Sequence, residues 1–194
     1  MSGPAAGDDS EGLAVTHDDD DRVVWEGKHL KVRLRGHWEY VERRGVTGIV
    51  CIVAVTDDGK LLLVEQHRPP VDARVVELPA GLVGDVPGEA HEPLEAAARR
   101  ELLEETGYEA GRLEVLFEGP PSAGLSNEHI TFFLATGLRK VAPGGGDASE
   151  DIAVHEVPLA ELPAFLDRRR ERGALIDAKL FSPLYVYAQR REKA

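Results

Sequence analysis

Long apolar runs are missing from this sequence, and so is any long basic tract. No stretch approaches the ~18 apolar residues that a membrane-spanning helix needs, so no membrane role is expected. The N-terminal residues lack the basic region and apolar core of a secretory signal, and the expected location is the cytoplasm. Cysteine is nearly absent: Cys51 stands alone, which excludes an internal disulfide framework and a cysteine-based zinc cluster. Cys51 lies in the apolar run Ile49-Val50-Cys51-Ile52-Val53, where a buried structural thiol is expected rather than a nucleophile. The formal net charge is −12 and the arginines are dispersed. Counterion release would contribute little to DNA or RNA binding, so nucleic acid is not an expected partner. A phosphate-bearing small substrate would need metal ions to offset the same negative surplus.

What is present fits one ordinary domain with a small appendage: 194 residues, 42% of them hydrophobic. Residues 1–21 are small, polar and acidic, ending in Asp18-Asp19-Asp20-Asp21. They lack the glycine and final glutamate of an EF-hand loop and read as a solvated, disordered tail. Residues 22–44 alternate in the manner of one or two antiparallel strands, turned near Gly27-Lys28 and Arg35-Gly36. In the main unit, 45–194, strands are expected at about 48–56 and 60–65, joined as a hairpin by Asp57-Asp58-Gly59. A short strand at about 74–78 leads into Pro79-Ala80-Gly81, and 82–91 form a loop. A helix follows over about 93–106, with Pro93 suited to its first turn and Gly107 to its C-terminal cap. Strands at about 112–118, 129–136 and 152–157 and helices at about 159–172 and 177–191 complete the pattern, with Ala142–Gly146 as a flexible loop. Such an order predicts an α/β sheet sandwiched by helices.

The chemistry concentrates in Arg99-Arg100-Glu101-Leu102-Leu103-Glu104-Glu105-Thr106-Gly107. On a helix, Glu101, Glu104 and Glu105 share one face, while Leu94, Ala98 and Leu102 repeat along another and can anchor it to the sheet. Crowded carboxylates repel one another. They make either a solvated acidic face or a set of hard oxygen ligands for Mg²⁺ or Mn²⁺.

With Glu92, seven intervening residues and Arg100-Glu101-Leu102-Leu103-Glu104-Glu105-Thr106-Gly107-Tyr108, the segment resembles the Nudix box at every fixed position from that glutamate onward. Glu77-Leu78-Pro79-Ala80-Gly81 resembles the approach to it. The family usually places five residues between its glycine and first glutamate; ten separate Gly81 from Glu92 here, an insertion that a surface loop tolerates. The resemblance implies an α/β/α sandwich with a mixed β-sheet and hydrolysis of a nucleoside diphosphate linked to another moiety. It implies Glu101, Glu105 and the Ala80 carbonyl as metal ligands, Glu104 as a third ligand or a water-mediated neighbour, and Arg100 and Glu92 as orienting groups. The metal it implies is Mg²⁺, with Mn²⁺ as substitute.

Three further stretches are similar to the ADP-ribose and nucleotide-sugar pyrophosphatase branch. In Val64-Glu65-Gln66-His67-Arg68-Pro69-Pro70, Arg68 is a substrate arginine or a surface one. In Trp38-Glu39-Tyr40-Val41-Glu42-Arg43, Trp38 stacks on a base or serves core or dimer packing, and Arg43 reaches substrate. Branch members typically pair as homodimers through their N-terminal strands, so Arg43 is placed to act across the interface. In Pro120–Glu128, Ala123 replaces the proline associated with ADP-ribose, and Glu128 contacts a sugar or makes a salt bridge. The base is sought on a late loop: Glu150, as base or additional ligand, with Asp151 and Asp147 in reserve. The implied substrate is a nucleoside-diphosphate sugar, ADP-ribose first and a UDP-, GDP- or CDP-sugar next; a non-catalytic ligand-binding module is the contrasting class.

Overall fold

The computed structural model describes residues 20–84, 91–146 and 151–193. Asp147, Glu150, most of the acidic tail and part of the inserted loop lie outside the described residues.

The β-branched run after Gly48 forms β4 (Gly48–Ala54), and its two faces explain why it is apolar throughout. Val50, Ile52 and Ala54 pack into one core with Ala97, Ala98 and Leu102, while Cys51, Val53 and Val55 pack into a second with Leu61, Leu63, Leu166 and Leu180. A strand covered on both sides needs no polar alternation. Around it runs a mixed sheet ordered β7 (Ala80–Val83), β4, β9 (Ile130–Lys140), β8 (Tyr108–Gly119), in which β4 and β9 are parallel and the other pairs antiparallel. A second mixed sheet is ordered β10 (Ala153–Pro158), β5 (Lys60–Arg68), β6 (Ala73–Glu77), β11 (Leu175–Ile176). Helix α1 (Leu94–Thr106) covers the first sheet through fully buried Ala98 and Leu102, as their spacing predicts, with Leu94 packed at the edge. Helices α2 (Leu162–Glu171) and α3 (Phe181–Arg191) close the other core with Phe165, Leu166 and Leu184. The result is the expected α/β/α arrangement.

Three differences from the sequence expectations have local causes. The expected hairpin between β4 and β5 is a crossover between sheets: Val55 bridges Leu61 and the Thr56 N–H bonds the Lys60 carbonyl, after which the strands separate. Residues 21–43 make three strands, β1 (Asp21–Glu26), β2 (Leu30–Arg35) and β3 (Trp38–Arg43), because both anticipated turns form. Asp21 leaves the acidic run to open β1, where Arg33, Arg35 and Tyr40 donate to its carboxylate. The Arg35 hydrogen bond, foremost among these, holds the Asp21 carboxyl down at about 2.

The end of α1 is tied down by a distant loop. Gly107 takes a left-handed φ of 76° and its N–H bonds the Leu103 carbonyl. The glycine-rich loop then continues the cap: Gly145 and Gly146 donate backbone N–H groups to the carbonyls of Glu105 and Glu104 at 2.8 and 3.0 Å. These carbonyls are among those that a helix end leaves unpaired. Gly144 has φ of 75°, and a Cβ there would lie 2.4 Å from the Thr106 carbonyl carbon. Gly144→Ala should therefore cost more than about 2 kcal/mol and lower Tm by about 4–8 °C. Gly173→Ala, at φ of 87° but in open space, should cost only about 1 kcal/mol. Equal shifts in thermal unfolding would refute the close packing of this strap.

Candidate active site

The α1 carboxylates stand over the peptide that opens β7. Glu105 is 4% exposed, and its Oε2 accepts the Ala80 N–H at 3.0 Å. Glu101 packs so closely on Gly81 that a Cβ there would fall 1.9 Å from its carboxyl carbon. Glycine at 81 is thus required by the approach of the helix side chain. Glu104, one turn along, is half exposed. Arg100 organises this face: Nη1 donates to Glu101 Oε1 at 2.8 Å and Glu104 Oε2 at 3.3 Å, while Nε and Nη2 grip Glu92 at 3.1 and 3.0 Å. Its guanidinium is held further toward the charged state, by the Glu92 hydrogen bond above all. These are the ion pairs expected of an orienting arginine. Among the described residues no three His, Cys, Asp or Glu side chains converge as a finished metal nest.

Ala80, Gly81 and Leu82 also line a cavity of about 650 Å³ between the sheets. Arg43, at the end of β3, enters it and donates from Nε to Glu128 Oε1 at 2.7 Å. Arg68, at the end of β5, enters from another side and donates to Glu77 Oε2 at 2.8 Å. The structure thus brings Arg43, Arg68, Glu128 and Ala80 to one cavity. Three lining groups were not singled out as site residues: Glu77, Asp177 and Lys179. Asp177 accepts from the Lys179 backbone N–H at 2.9 Å and pairs with Lys179 Nζ at 2.5 Å. Its own N–H bonds the Val76 carbonyl beside β11. A signal existed in Leu175-Ile176-Asp177-Ala178-Lys179-Leu180, where two charges interrupt an apolar stretch. Burial pushes the Glu77 carboxyl up, Asp177 adds to this, and Arg68 opposes it. Cys51 touches the same cavity, but burial drives its thiol far above the ordinary range, in keeping with a structural role.

Trp38 stands apart from the cavity lining. It is 54% exposed, and its Nε1 donates to the Gly124 carbonyl at 3.3 Å. Beside it, the Val41 N–H bonds Leu125 O at 2.8 Å and the Asn127 N–H bonds Val41 O at 3.3 Å. The loop that carries Glu128 is thereby fastened to β3. Asp151 is exposed and paired with Arg74 at 2.9 Å.

A family model described as the NUDIX domain matches residues 46–179. The chain is 36% identical over 124 residues to a "Methanol dehydrogenase activator" of Bacillus methanolicus, covering 63% of this chain and 64% of that one. It is 39% identical over 132 residues to an "ADP-ribose pyrophosphatase" of Mycobacterium tuberculosis, covering 68% and 60%. A "GDP-mannose pyrophosphatase" of Citrobacter koseri is 40% identical over 108 residues, covering 55% and 51%. The matched part thus spans about half to two thirds of these relatives. The solved structure "Crystal structure of ADP compounds hydrolase" shares the fold with a TM-score of 0.68 at 22% identity, covering 89% of this chain and 92% of that one.

The Trp38 contact has a direct test. Trp38→Phe keeps an aromatic face and removes the N–H donor, which a hydrogen bond of ordinary strength values at about 0.5–1.5 kcal/mol. Amide exchange at Val41 and Asn127 should speed roughly two- to tenfold, with β4 unaffected. Unchanged exchange there would mean that the indole does not anchor the loop.

Proposed function

Because the chain belongs to the Nudix family, whose model spans residues 46–179, we propose that it is a pyrophosphohydrolase that cuts the diphosphate of a nucleoside-diphosphate sugar, with ADP-ribose as the preferred substrate. The products would be AMP and ribose 5-phosphate. The observation that carries this reading is the contact of the α1 carboxylates with the Ala80–Gly81 peptide, which also forms a wall of the arginine-bearing cavity.

Nudix hydrolases generally use divalent metal ions. The donor set here fits Mg²⁺, or Mn²⁺ in its place: the Ala80 carbonyl and the carboxylates of Glu101, Glu104 and Glu105 are all hard oxygens. Glu105 is oriented by the Ala80 N–H, and Glu101 and Glu104 are gathered by a single arginine. When bound, the metal supplies positive charge for the diphosphate and acidifies a water. The chain's own groups do the rest. Arg43 and Arg68 receive the phosphates, each drawing on a cation whose present partner is a carboxylate, Glu128 and Glu77 respectively. Glu128 lies at the same cavity to contact the substrate once Arg43 turns to phosphate. Glu150 is assigned as base, taking a proton from water as its oxygen attacks one phosphorus and the other phosphate departs, with a role as additional metal ligand also open to it.

Another nucleoside-diphosphate sugar is the second reading, supported by Ala123 in the loop after β8 and by the GDP-mannose pyrophosphatase relative. Residues 22–44 are assigned to homodimer contact and 45–194 to hydrolysis, in a cytoplasmic enzyme. Arg43 reaches its own chain's cavity, so its contact needs no second protomer. Trp38, outside that cavity, would stack on a base held by the neighbour.

Glu105→Gln keeps an oxygen for the Ala80 N–H while removing the charge, so Tm should hold and turnover should fall about 100-fold or more. Turnover within twofold of wild type would reject the metal assignment. A panel of ADP-ribose, GDP-mannose, UDP-glucose and a CDP-sugar ranks the substrates by kcat/KM; ADP-ribose no faster than the rest would reject it as the preferred one.

A further inference from the structure

The cavity contains a row of charges that diphosphate binding leaves unexplained. From β5 to the segment before α3 the order is Arg68, Glu77, Asp177, Lys179. The two inner members are both acids. Their side chains are only 11% and 13% exposed, both line the cavity, and the Asp177 N–H bonds the carbonyl of Val76, the residue next to Glu77. Each already has its own cation, Arg68 at 2.8 Å and Lys179 at 2.5 Å, yet a carboxylate has more acceptor positions than one ion pair uses, so both can still accept from a ligand in the cavity they line. Their surroundings are apolar: Ile49, Ile130 and Leu180 line the same cavity.

The chemistry of the pair limits what it can receive. Phosphate oxygens bring acceptors and negative charge, so they are turned toward Arg43 and Arg68. A neutral group rich in O–H donors suits two adjacent carboxyls. A nucleobase amino group is also a donor, yet a base needs flat faces to stack on, and none of the described residues lining the cavity is aromatic. A sugar needs none. Building on the diphosphatase reading, we propose that Glu77 and Asp177 form the subsite for the hydroxyls of the non-nucleotide sugar, and that Asp177 sets the preference for a sugar over other groups on the diphosphate.

The test compares ADP-ribose with the methyl ester of ADP, which has the same nucleotide and an esterified diphosphate but no sugar hydroxyls beyond it. If the panel favours another sugar nucleotide, that compound is paired with its own methyl ester. Asp177→Asn should raise KM for the sugar substrate about tenfold or more while changing kcat/KM for the methyl ester less than twofold. Glu77→Gln, a second substitution of similar shape that also alters the partner of Arg68, should change both compounds but raise KM for the sugar substrate about tenfold further than for the methyl ester, and serves if the first variant unfolds. Equal losses on both compounds in the folded variants, or no loss on either, would overturn the subsite. Equilibrium binding of the two compounds reads the site without turnover. A sugar preference lost in Asp177→Asn upholds the subsite even if the wild type cleaves nothing, which would overturn only the diphosphatase reading. A preference retained in the variant overturns the subsite even if the wild type is an active diphosphatase.

Discussion

The contact between the α1 carboxylates and the bare peptide at Ala80–Gly81 governs the geometry of everything around the site. Glu105 reaches the Ala80 N–H only because α1 lies flat on the first sheet, and Glu101 fits only because residue 81 has no side chain. The apolar spacing on one face of the helix sets its distance from the sheet, and the acidic spacing on another face then places charge over β7. Packing and chemistry share one helix. The packing must hold for the charges to meet their target, because the favourable side is burial while the unfavourable side is carboxylate repulsion.

Arg100 is the counterweight within this arrangement. Glu92 and Glu101 present side chains only 7% and 13% exposed, so their charges are little screened by water and need a cation nearby. The guanidinium can serve several carboxylates because its donors point in several fixed directions. Removing it would leave partly buried acids uncompensated. The cap supplied by Gly145 and Gly146 acts on the same helix from its other end, so the glutamates are constrained by side-chain pairing and by backbone anchoring together.

How much of this was legible in the sequence depended on whether the cause was local. The α1 spacing and the Gly107 cap are short-range consequences of one segment and could be read from it, and an orienting role for Arg100 followed from the resemblance; the packing of Glu101 on Gly81, twenty positions away, could not be read. The exchange of sheets after β4 could not, since Asp57-Asp58-Gly59 specifies a tight turn without specifying which sheet the next strand joins. Glu77 was visible only as part of the approach to the box. Its meeting with Asp177 depends on β11 running parallel to β6, a pairing of just two residues that leaves almost no periodic signal. Trp38 shows the same limit: its exposure to solvent fits an aromatic near a site, but its bond to Gly124 arises from a loop 86 positions away.

The overall charge of −12 gains a spatial meaning from these contacts. The cavity itself is balanced, with Arg43, Arg68 and Lys179 set against Glu128, Glu77 and Asp177, while the helix beside it sets Glu101 and Glu104 against the guanidinium of Arg100 and turns Glu105 to the Ala80 N–H. An anionic ligand therefore meets paired arginines on one side and repulsion on the other unless cations accompany it. Screening by salt cannot remove that repulsion, because Glu101 and Glu105 are largely withdrawn from water. Cations held at the helix face would turn the repulsive side into an attractive one, and affinity for a diphosphate should then depend on the divalent ion more than on any single arginine.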